Sequence, residues 1–342
     1  MKLRVAVNGY GVIGRRVADA VTLQPDMEVA GVADVTTDWR TRVALKRGFP
    51  LFAATAAALE AMRAAGFEPR GDLRFLLANA DIVVDCTPKG VDARNRPFYD
   101  EVGIRAVFQG GAKHELAGHS FVASANYASA LGRRTTRVVS CNTTATIRTL
   151  LALRNAGLLA RARGVLVRRA TDPWESHRGG IMNTMVPEPD IPSHQGPDAK
   201  TVIPDLDVVT MASTSPQNVG HLHHWMVDLT RPAARDEVLA AFRAVPRIAF
   251  IRTGDGISAL NVTAELMKEI GRSRGDMWEV AIWEDILTVE GRELFYAYQV
   301  DNQAIVVPET IDAIRALCGT EEDPDASIRR TDEALGIGPV FL

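Results

Sequence analysis

Apolar residues follow two periods along the chain, one typical of strands and one typical of helices. Residues 2–7 form a short apolar strand, and residues 13–21 then place four apolar side chains on one helical face. A second apolar run covers residues 28–33, so the chain opens with a strand, a glycine-rich turn, a helix and a strand. This order is the unit from which a parallel sheet is built.

Later apolar runs divide the chain into two parts. Those in the first 140 residues or so are short, as at residues 81–86, 104–108 and 137–140, and predict a doubly wound α/β domain. From Gly164 onward the runs are longer and alternate with proline-rich loops, which favours an α+β domain with a mixed or antiparallel sheet. The strands predicted there are residues 165–169, 206–211 and 221–229. Two helices close the chain, one from Pro308 to about Gly319 and one ending near Gly336.

Composition excludes several classes of protein. A chain of 342 residues exceeds one ordinary hydrophobic core. No run of about eighteen apolar residues is present, and the first residues lack a signal-peptide pattern, so we expect no membrane span and a cytoplasmic protein. The 39 basic and 42 acidic residues are well mixed, which leaves no basic face for nucleic acid. Three widely spaced cysteines fit free thiols in a reducing compartment.

The glycine-rich turn has the spacing of a dinucleotide-binding motif, Gly9-Tyr10-Gly11-Val12-Ile13-Gly14. Its position between a strand and a helix favours that interpretation over a turn without a ligand. Asp34 ends the second strand, twenty residues beyond Gly14, where a carboxylate can bind the ribose hydroxyls. Its charge would repel a 2′-phosphate, so we expect NAD rather than NADP. The nearby Arg40 and Arg42 leave NADP open, and Asp34 could instead be a solvated turn residue.

Cys141 has the local setting of a reactive thiol. It follows an apolar run and precedes Asn142-Thr143-Thr144, which leads into a predicted helix. The positive end of a helix lowers a thiol pKa, and a nucleophile requires the thiolate. Cys86 and Cys318 are expected to be packing residues. The residues alone also allow Cys141 to be an inert core cysteine.

A histidine-rich strand offers a base for this thiol. In the alternating run 221–229, His221 and His223 share one face and His224 points to the other. One of the first two is the natural partner of Cys141. A zinc site is the rival interpretation of this cluster, but no thiolate lies at ligand spacing, so no metal is expected. At least one of the three is a structural, hydrogen-bonded histidine.

Many short segments in one order resemble archaeal-type (type II) phosphorylating glyceraldehyde-3-phosphate dehydrogenase over nearly the whole chain. They are residues 7–14, 85–88, 108–111, 113–115, 139–144, 168–170, 172–173, 192–198, 200–202, 277–280, 283–285 and 307–309. The resemblance implies a Rossmann domain of residues 1–140 and 304–342, a catalytic domain of residues 141–303 and a homotetramer. It also implies that Cys141 is the nucleophile and His221 the base, with His223 as the fallback.

The same resemblance implies further site residues. Those expected to bind substrate or its phosphate are Ser140, Asn142, Thr143, Arg148, Arg168, His194 and Gln195. Those expected to bind the cofactor, besides the glycine motif and Asp34, are Gly111, Arg169, Asn302 and Gln303.

The chain also departs from the family pattern at several positions. Asp34 stands where a basic residue is usual, Ala145 where glycine is usual, and Gln195 where a second histidine is common. The five residues 301–305 differ from the family's His-Gln-Glu-Ser-Asp, beside the expected nicotinamide site. These differences bear on the substrate and cofactor more than on the type of reaction.

The resulting hypothesis is a glycolytic, NAD-dependent enzyme that oxidises glyceraldehyde 3-phosphate through a Cys141 thioester, which inorganic phosphate releases as an acyl phosphate. The alternatives are a paralogue that acts on erythrose 4-phosphate, a phosphonate aldehyde or a semialdehyde, and a non-catalytic NAD-binding redox sensor. Whether phosphate or water accepts the acyl group does not follow from the sequence.

Overall fold

The computed structural model of the protein describes residues 2–109, 111–173 and 183–341. The chain forms two compact units. The first comprises Met1–Ser140 and Val306–Gly336, and the second comprises Cys141–Ile305 and Ile337–Leu342.

Strands and helices alternate through the amino-terminal part of the first unit. Its strands are β1 (Leu3–Asn8), β2 (Met27–Asp34), β3 (Leu51–Ala53), β4 (Ile82–Asp85), β5 (Arg105–Phe108), β6 (Ser120–Phe121) and β7 (Thr135–Val138). Its helices are α1 (Val12–Leu23), α2 (Trp39–Lys46), α3 (Ala56–Ala64), α4 (Leu73–Ala78), α5 (Asp92–Val102), α6 (His114–Ala117) and α7 (Ala123–Asn126), with a 3₁₀ turn at Tyr127–Ala130.

The strands of the first unit form a parallel sheet. In its described part the order is β3-β2-β1-β4-β5-β7-β6, and each neighbouring pair runs parallel. The chain leaves β1 toward one edge and returns beside it as β4, so the carboxyl ends of these two strands form the topological switch point. Asn8 and Asp85 are partners there, and both bond the Tyr99 hydroxyl at 2.7 Å. The predicted doubly wound architecture is confirmed.

The second unit contains the remaining strands. They are β8 (Leu159–Arg169), β9 (Val186–Pro187), β10 (Val208–Ser215), β11 (His221–Leu229), β12 (Ile248–Ile251), β13 (Val280–Trp283), β14 (Thr288–Glu290) and β15 (Glu293–Val300). The helices of this unit are α8 (Cys141–Asn155), α9 (Gln195–Lys200), α10 (Arg235–Arg243) and α11 (Leu260–Glu269), with a 3₁₀ turn at Thr253–Asp255.

The second sheet is mixed, as predicted. Its order in the described residues is β12-β13-β15-β11-β8-β10-β9, with β14 paired to β15. β8 runs parallel to β10 and antiparallel to β11. The predicted strand 221–229 has the observed bounds, because its inward side chains alternate strictly with outward ones. The strand predicted at 206–211 begins later, at Val208, and continues to Ser215.

No helix in the described ranges combines the length and the hydrophobicity that crossing a membrane requires.

Two carboxy-terminal helices, α12 (Val306–Cys318) and α13 (Pro324–Leu335), complete the first unit. Arg315 of α12 is completely buried and reaches the turn between α1 and β2. Its guanidinium donates to both carboxylate oxygens of Asp26, at 2.8 and 2.9 Å, to Gln24 Oε1 at 2.6 Å and to Thr331 Oγ1 at 2.6 Å. One side chain therefore joins three segments that are remote in sequence.

We expect Arg315→Met to lower the free energy of unfolding by about 3–5 kcal/mol, because the completely buried Asp312, 3.7 Å from this guanidinium, would lose its cation and Asp26 would be left with Arg330. Urea denaturation would measure the change. Arg329→Met is the matched control: Arg329 is exposed and lies 3.9 Å from Asp323, so its loss should cost less than about 1 kcal/mol. Equal stability of the two variants would contradict a structural role for Arg315.

Candidate active site

The glycine-rich loop lies at the switch point of the first sheet and is shaped by close backbone contacts. Gly9 has a φ of 91°, and a Cβ on Gly14 would lie 1.9 Å from the Gly9 carbonyl oxygen. Around Gly11, by contrast, the space for a Cβ is open. Val12 and Ile13 begin α1, which has no side-chain N-cap and no acidic residue in its first turn. The N–H groups at this helix end are thus available to phosphate oxygens.

Asp34 is buried at the end of β2 and holds this loop in place. Its carboxylate accepts hydrogen bonds from the backbone N–H of Tyr10 at 2.6 Å, Val35 at 2.7 Å and Thr36 at 3.0 Å. A carboxylate has about four acceptor positions, so capacity remains for one further donor. Asp34 is therefore a structural residue of the loop as well as a candidate ribose ligand.

Two buried acceptors in the first unit fit a bound dinucleotide. Asn8 is the last residue of β1 and Gln109 follows β5, and neither Asn8 Oδ1 nor Gln109 Oε1 has a hydrogen-bond partner among the described residues. Orphaned buried acceptors are costly unless a ligand or water satisfies them. Gly111 lies three residues beyond β5 and is exposed.

Cys141 is the first residue of α8, directly after Ser140, and the residue as a whole is partly exposed. Its Sγ lies 3.4 Å from Nε2 of His221, the first residue of β11. The structure therefore brings together a thiol and an imidazole that are 80 residues apart in sequence.

His223 is on the same face of β11 but has different partners. It is completely buried, with Nδ1 2.9 Å from the Tyr298 hydroxyl and Nε2 2.9 Å from Asn142 Oδ1. Burial lowers its pKa to about 3, so the ring is neutral at physiological pH. His223 thus holds Asn142, the residue after the thiol, and does not itself meet the sulfur.

The thiol does not have the low pKa expected from its place at a helix start. Desolvation raises the pKa of Cys141 to about 11, although the Arg169 guanidinium and the N–H of Asn142 lower it. The predicted effect of the helix amino terminus thus has the right sign but is outweighed by desolvation. Desolvation also lowers the pKa of His221 well below its usual value, as do His223, Arg169 and Arg168. Without substrate, the pair is neutral at pH 7.

A backbone bond determines which nitrogen of His221 carries hydrogen. The N–H of Arg169 donates to Nδ1 of His221 at 3.1 Å. Since Nδ1 is an acceptor, the hydrogen of the neutral ring is on Nε2, the nitrogen that faces the sulfur.

The two neighbouring arginines of β8 enter separate ion pairs. Arg168 pairs with Glu188, which also lies 3.3 Å from Nδ1 of His194. Arg169 Nη2 lies 3.0 Å from Asp172 Oδ1, and Gln303 Nε2 donates to that same oxygen at 2.8 Å. Sequence reasoning did not identify Glu188 and Asp172 as site residues. Their one signal in the sequence was that the neighbouring cations Arg168 and Arg169 have no carboxylates beside them in the strand.

The other predicted substrate ligands differ in their placement. Gln195 is completely buried, and neither its Oε1 nor its Nε2 has a partner in the described part of the chain. Thr143 is buried and donates to Asp198 at 2.7 Å, which links α8 to α9. Asn302 is half-buried in the turn after β15.

Arg148 is the clearest departure from the expected site. It is completely buried, and its guanidinium donates to the carbonyl oxygens of Trp278 at 2.8 Å, Ile305 at 3.2 Å and Arg247 at 3.5 Å. These contacts hold three loops of the second unit together. A phosphate could not reach this side chain without repacking, so the expectation that Arg148 binds phosphate is not supported by its placement.

Comparison with known families and proteins agrees with this geometry. Residues 140–285 match the family model described as the glyceraldehyde 3-phosphate dehydrogenase C-terminal domain. The chain is 44 % identical over 343 residues to glyceraldehyde-3-phosphate dehydrogenase of Archaeoglobus fulgidus, covering 100 % of both chains. It is 42 % identical over 334 residues to that of Methanothermus fervidus, covering 97 % of this chain and 98 % of the relative. The chain belongs to the glyceraldehyde-3-phosphate dehydrogenase family. The resemblance inferred from its motifs is confirmed.

Membership of the glyceraldehyde-3-phosphate dehydrogenase family makes a nicotinamide cofactor part of the protein's chemistry. The matched residues 140–285 include both Cys141 and His221. Within the described ranges, no group of three or more His, Cys, Asp or Glu side chains is arranged to hold a metal ion.

Proposed function

We propose that the protein oxidises glyceraldehyde 3-phosphate with NAD and, through a thioester on Cys141, forms an acyl phosphate from inorganic phosphate. The observation that carries the proposal is the 3.4 Å approach of Cys141 Sγ and His221 Nε2 at the start of α8. A thiol and an imidazole in hydrogen-bond reach are the minimum for covalent catalysis on a carbonyl. Relatives with this name align along nearly the whole chain, which supports the choice of substrate.

Cys141 and His221 divide the proton chemistry between them. To act as a base, His221 must carry its hydrogen on Nδ1, so that Nε2, which bears hydrogen in the resting pair, has a free lone pair. Nε2 then takes the thiol proton as the sulfur attacks the aldehyde carbon and passes it to the carbonyl oxygen as the C–S bond forms. His221 then withdraws the hydroxyl proton as the carbon is oxidised to the thioester. To hold a second proton, His221 must give up the hydrogen bond that its Nδ1 accepts from Arg169. The thiolate therefore forms as the substrate is attacked and is not stored beforehand.

The residues proposed to hold NAD are the glycine loop with Val12 and Ile13, together with Asp34, Gly111, Arg169, Asn302 and Gln303. The open backbone at Gly11 and the uncapped start of α1 suit the pyrophosphate. The Asp34 carboxylate suits ribose hydroxyls and disfavours a 2′-phosphate. The nicotinamide, when bound, supplies the acceptor for the hydride.

The residues proposed to hold the substrate surround the thiol in sequence and in contacts. Asn142 is fixed by His223, so its amide N–H₂ is free to face a substrate oxygen. Gln195 brings a buried, unsatisfied amide, and Arg168 and His194 bring basic groups that now share Glu188. Ser140 and Thr143 flank the sulfur. We leave Arg148 out of this set.

The surroundings of Cys141 bear on the two alternatives. Redox sensors and thiol nucleophiles both react as the thiolate, so the raised pKa of Cys141 does not separate the two. The imidazole of His221, 3.4 Å from the sulfur, is what favours the enzyme over the sensor. A paralogue for another small anionic aldehyde would use the same pair. The free state of all three cysteines agrees with the proposed cytoplasmic location.

We expect NADH to form from glyceraldehyde 3-phosphate, faster with inorganic phosphate than without it and faster than from erythrose 4-phosphate or an unphosphorylated semialdehyde. Cys141→Ser should abolish the reaction, and His221→Asn should slow it by about 10²–10⁴-fold. Absorbance at 340 nm measures the rates. Cys318→Ser, at the end of α12, is the matched control and should keep the wild-type rate. Binding of NAD without turnover by the wild type would favour the sensor instead.

Asp34→Asn tests the choice of NAD. The amide oxygen can still accept the N–H of Tyr10, but the charge that repels a 2′-phosphate is gone. We expect the ratio of kcat/KM for NADP to that for NAD to rise about tenfold or more, since 1.4 kcal/mol of repulsion suffices. Glu60→Gln, which removes one negative charge from the exposed side of α3, is the control and should change this ratio by less than about threefold. An unchanged ratio in Asp34→Asn would remove Asp34 from the specificity determinants.

We further propose a homotetramer. Val165, Met211 and Met226 lie on adjacent strands β8, β10 and β11, point from the same face of the mixed sheet and are each more than a third exposed. Exposed apolar side chains of this kind, here interspersed with Arg163 and His224 on the same face, are typical of an interface. Met211→Glu should reduce the sedimenting mass at micromolar concentration, whereas Ile286→Glu, on the exposed turn before β14, should not. A wild-type mass of one chain would contradict the tetramer.

A further inference from the structure

Two donors converge on one oxygen of Asp172. Gln303 Nε2 donates to Oδ1 at 2.8 Å, and Arg169 Nη2 lies 3.0 Å from the same atom. The three residues come from the loop after β15, the loop after β8 and the end of β8 itself. A carboxylate held by a neutral amide on one side therefore anchors a guanidinium on the other.

Arg169 links this group to the thiol–imidazole pair. Its backbone N–H bonds Nδ1 of His221 at 3.1 Å, and its guanidinium is the charge that most strongly opposes the desolvation of the Cys141 thiol. Its Nε is buried without a hydrogen-bond partner among the described residues. Among the described residues, Asp172 is the ion-pair partner that fixes the position of this guanidinium, and Asp172 in turn is held by Gln303.

Gln303 is itself anchored firmly enough to act as a support. Its backbone N–H donates to Asp301 Oδ1 at 2.8 Å, and Asp301 Oδ2 accepts the N–H of Met277 at 3.0 Å. The loop after β15 is thereby tied to the segment before β13. The Gln303 side chain extends from this fixed point toward Asp172.

We propose that Gln303 is a positioning residue that, through Asp172, holds the Arg169 guanidinium where it promotes ionisation of Cys141. The inference rests on the proposed role of Cys141 as the nucleophile. It gives Gln303 a task within the second unit that is separate from any contact with the cofactor.

The charge balance around the sulfur explains why an amide suits position 303. The groups that act on the thiol are His221 of β11, Arg169 of β8 and Asp301 after β15, and Asp301 raises the thiol pKa. Arg168, behind His221, is neutralised by Glu188. A second carboxylate at position 303 would repel Asp172 and compete for Arg169. Arg169, the cation among the described residues that favours the thiolate, would then be drawn away or further neutralised.

The test is the rate at which iodoacetamide alkylates Cys141 at pH 8 in the cofactor-free protein, followed by mass spectrometry of the labelled peptide. We expect Gln303→Glu to slow alkylation about three- to fourfold. A thiol pKa higher by about one unit would lower the thiolate fraction tenfold, but a more basic thiolate is also a better nucleophile. The net loss of rate is therefore about three- to fourfold. Gln303→Leu, which removes the donor without adding charge, should slow it about twofold. Profiles against pH should move upward in the same order.

Asn155→Asp is the matched control. It adds the same charge at the exposed far end of α8, roughly 20 Å from Cys141 by helix rise, and should leave the rate unchanged. Melting curves would show that each variant is folded. Wild-type alkylation rates in both folded Gln303 variants would overturn the proposal, even if the KM for NAD rises, because a cofactor contact alone predicts that pattern.

Alkylation needs neither substrate nor NAD, so this result is independent of the proposed function. Slowed alkylation in a protein that fails to oxidise any aldehyde would uphold the role of Gln303 and refute the enzyme. Normal turnover with unaltered alkylation in the variants would uphold the enzyme and refute the role of Gln303.

Discussion

Desolvation of the Cys141 sulfur is the constraint on which the rest of the site depends. A thiolate withdrawn from water is costly, and neither one helix N–H nor one guanidinium offsets that cost here. The sulfur therefore stays protonated until a carbonyl carbon takes up its charge. The reactivity of the thiol then depends on how well neighbouring groups accept its proton and stabilise the charge that develops during attack. The positions of these groups matter for this, and a preformed thiolate–imidazolium ion pair is not needed.

Two histidines on one face of β11 differ in their hydrogen-bond partners. His221 and His223 point the same way from β11, and each has one nitrogen toward the start of α8. What separates them is the other nitrogen, which meets a backbone N–H in His221 and a tyrosine hydroxyl in His223. The His221 ring faces a sulfur, which must lose its proton to react. The His223 ring faces the side-chain amide oxygen of Asn142, which has no proton to lose. One strand thus carries both the proposed proton carrier, His221, and the residue that orients Asn142.

The sequence predicted these features as far as local pattern determines them. The alternating apolar residues identified both sheets, and the glycine spacing placed the loop at the switch point because only glycine permits its backbone contacts. The same pattern located Cys141 at a helix start. It could not predict the thiol pKa, since that depends on burial in the folded chain and on charges remote in sequence, Arg169 at the end of β8 and Asp301 after β15. The phosphate-binding role expected for Arg148 was not supported for the same reason. The carbonyl oxygens that accept hydrogen bonds from its guanidinium lie in segments about 100 residues or more away.

Two carboxylates, Asp34 and Asp172, show how the fold couples structure to selectivity. Asp34 fixes the glycine loop through three backbone N–H groups, and its charge is what the proposed preference for NAD depends on. Asp172 fixes a guanidinium while its charge partly cancels the help that this cation gives the thiol. In each case the hydrogen bonds and the charge act on different neighbours. An amide at either position would keep part of the support and remove the charge, so the two contributions are separable in principle. That separability is why substitutions at such positions can alter selectivity or reactivity without dismantling the site.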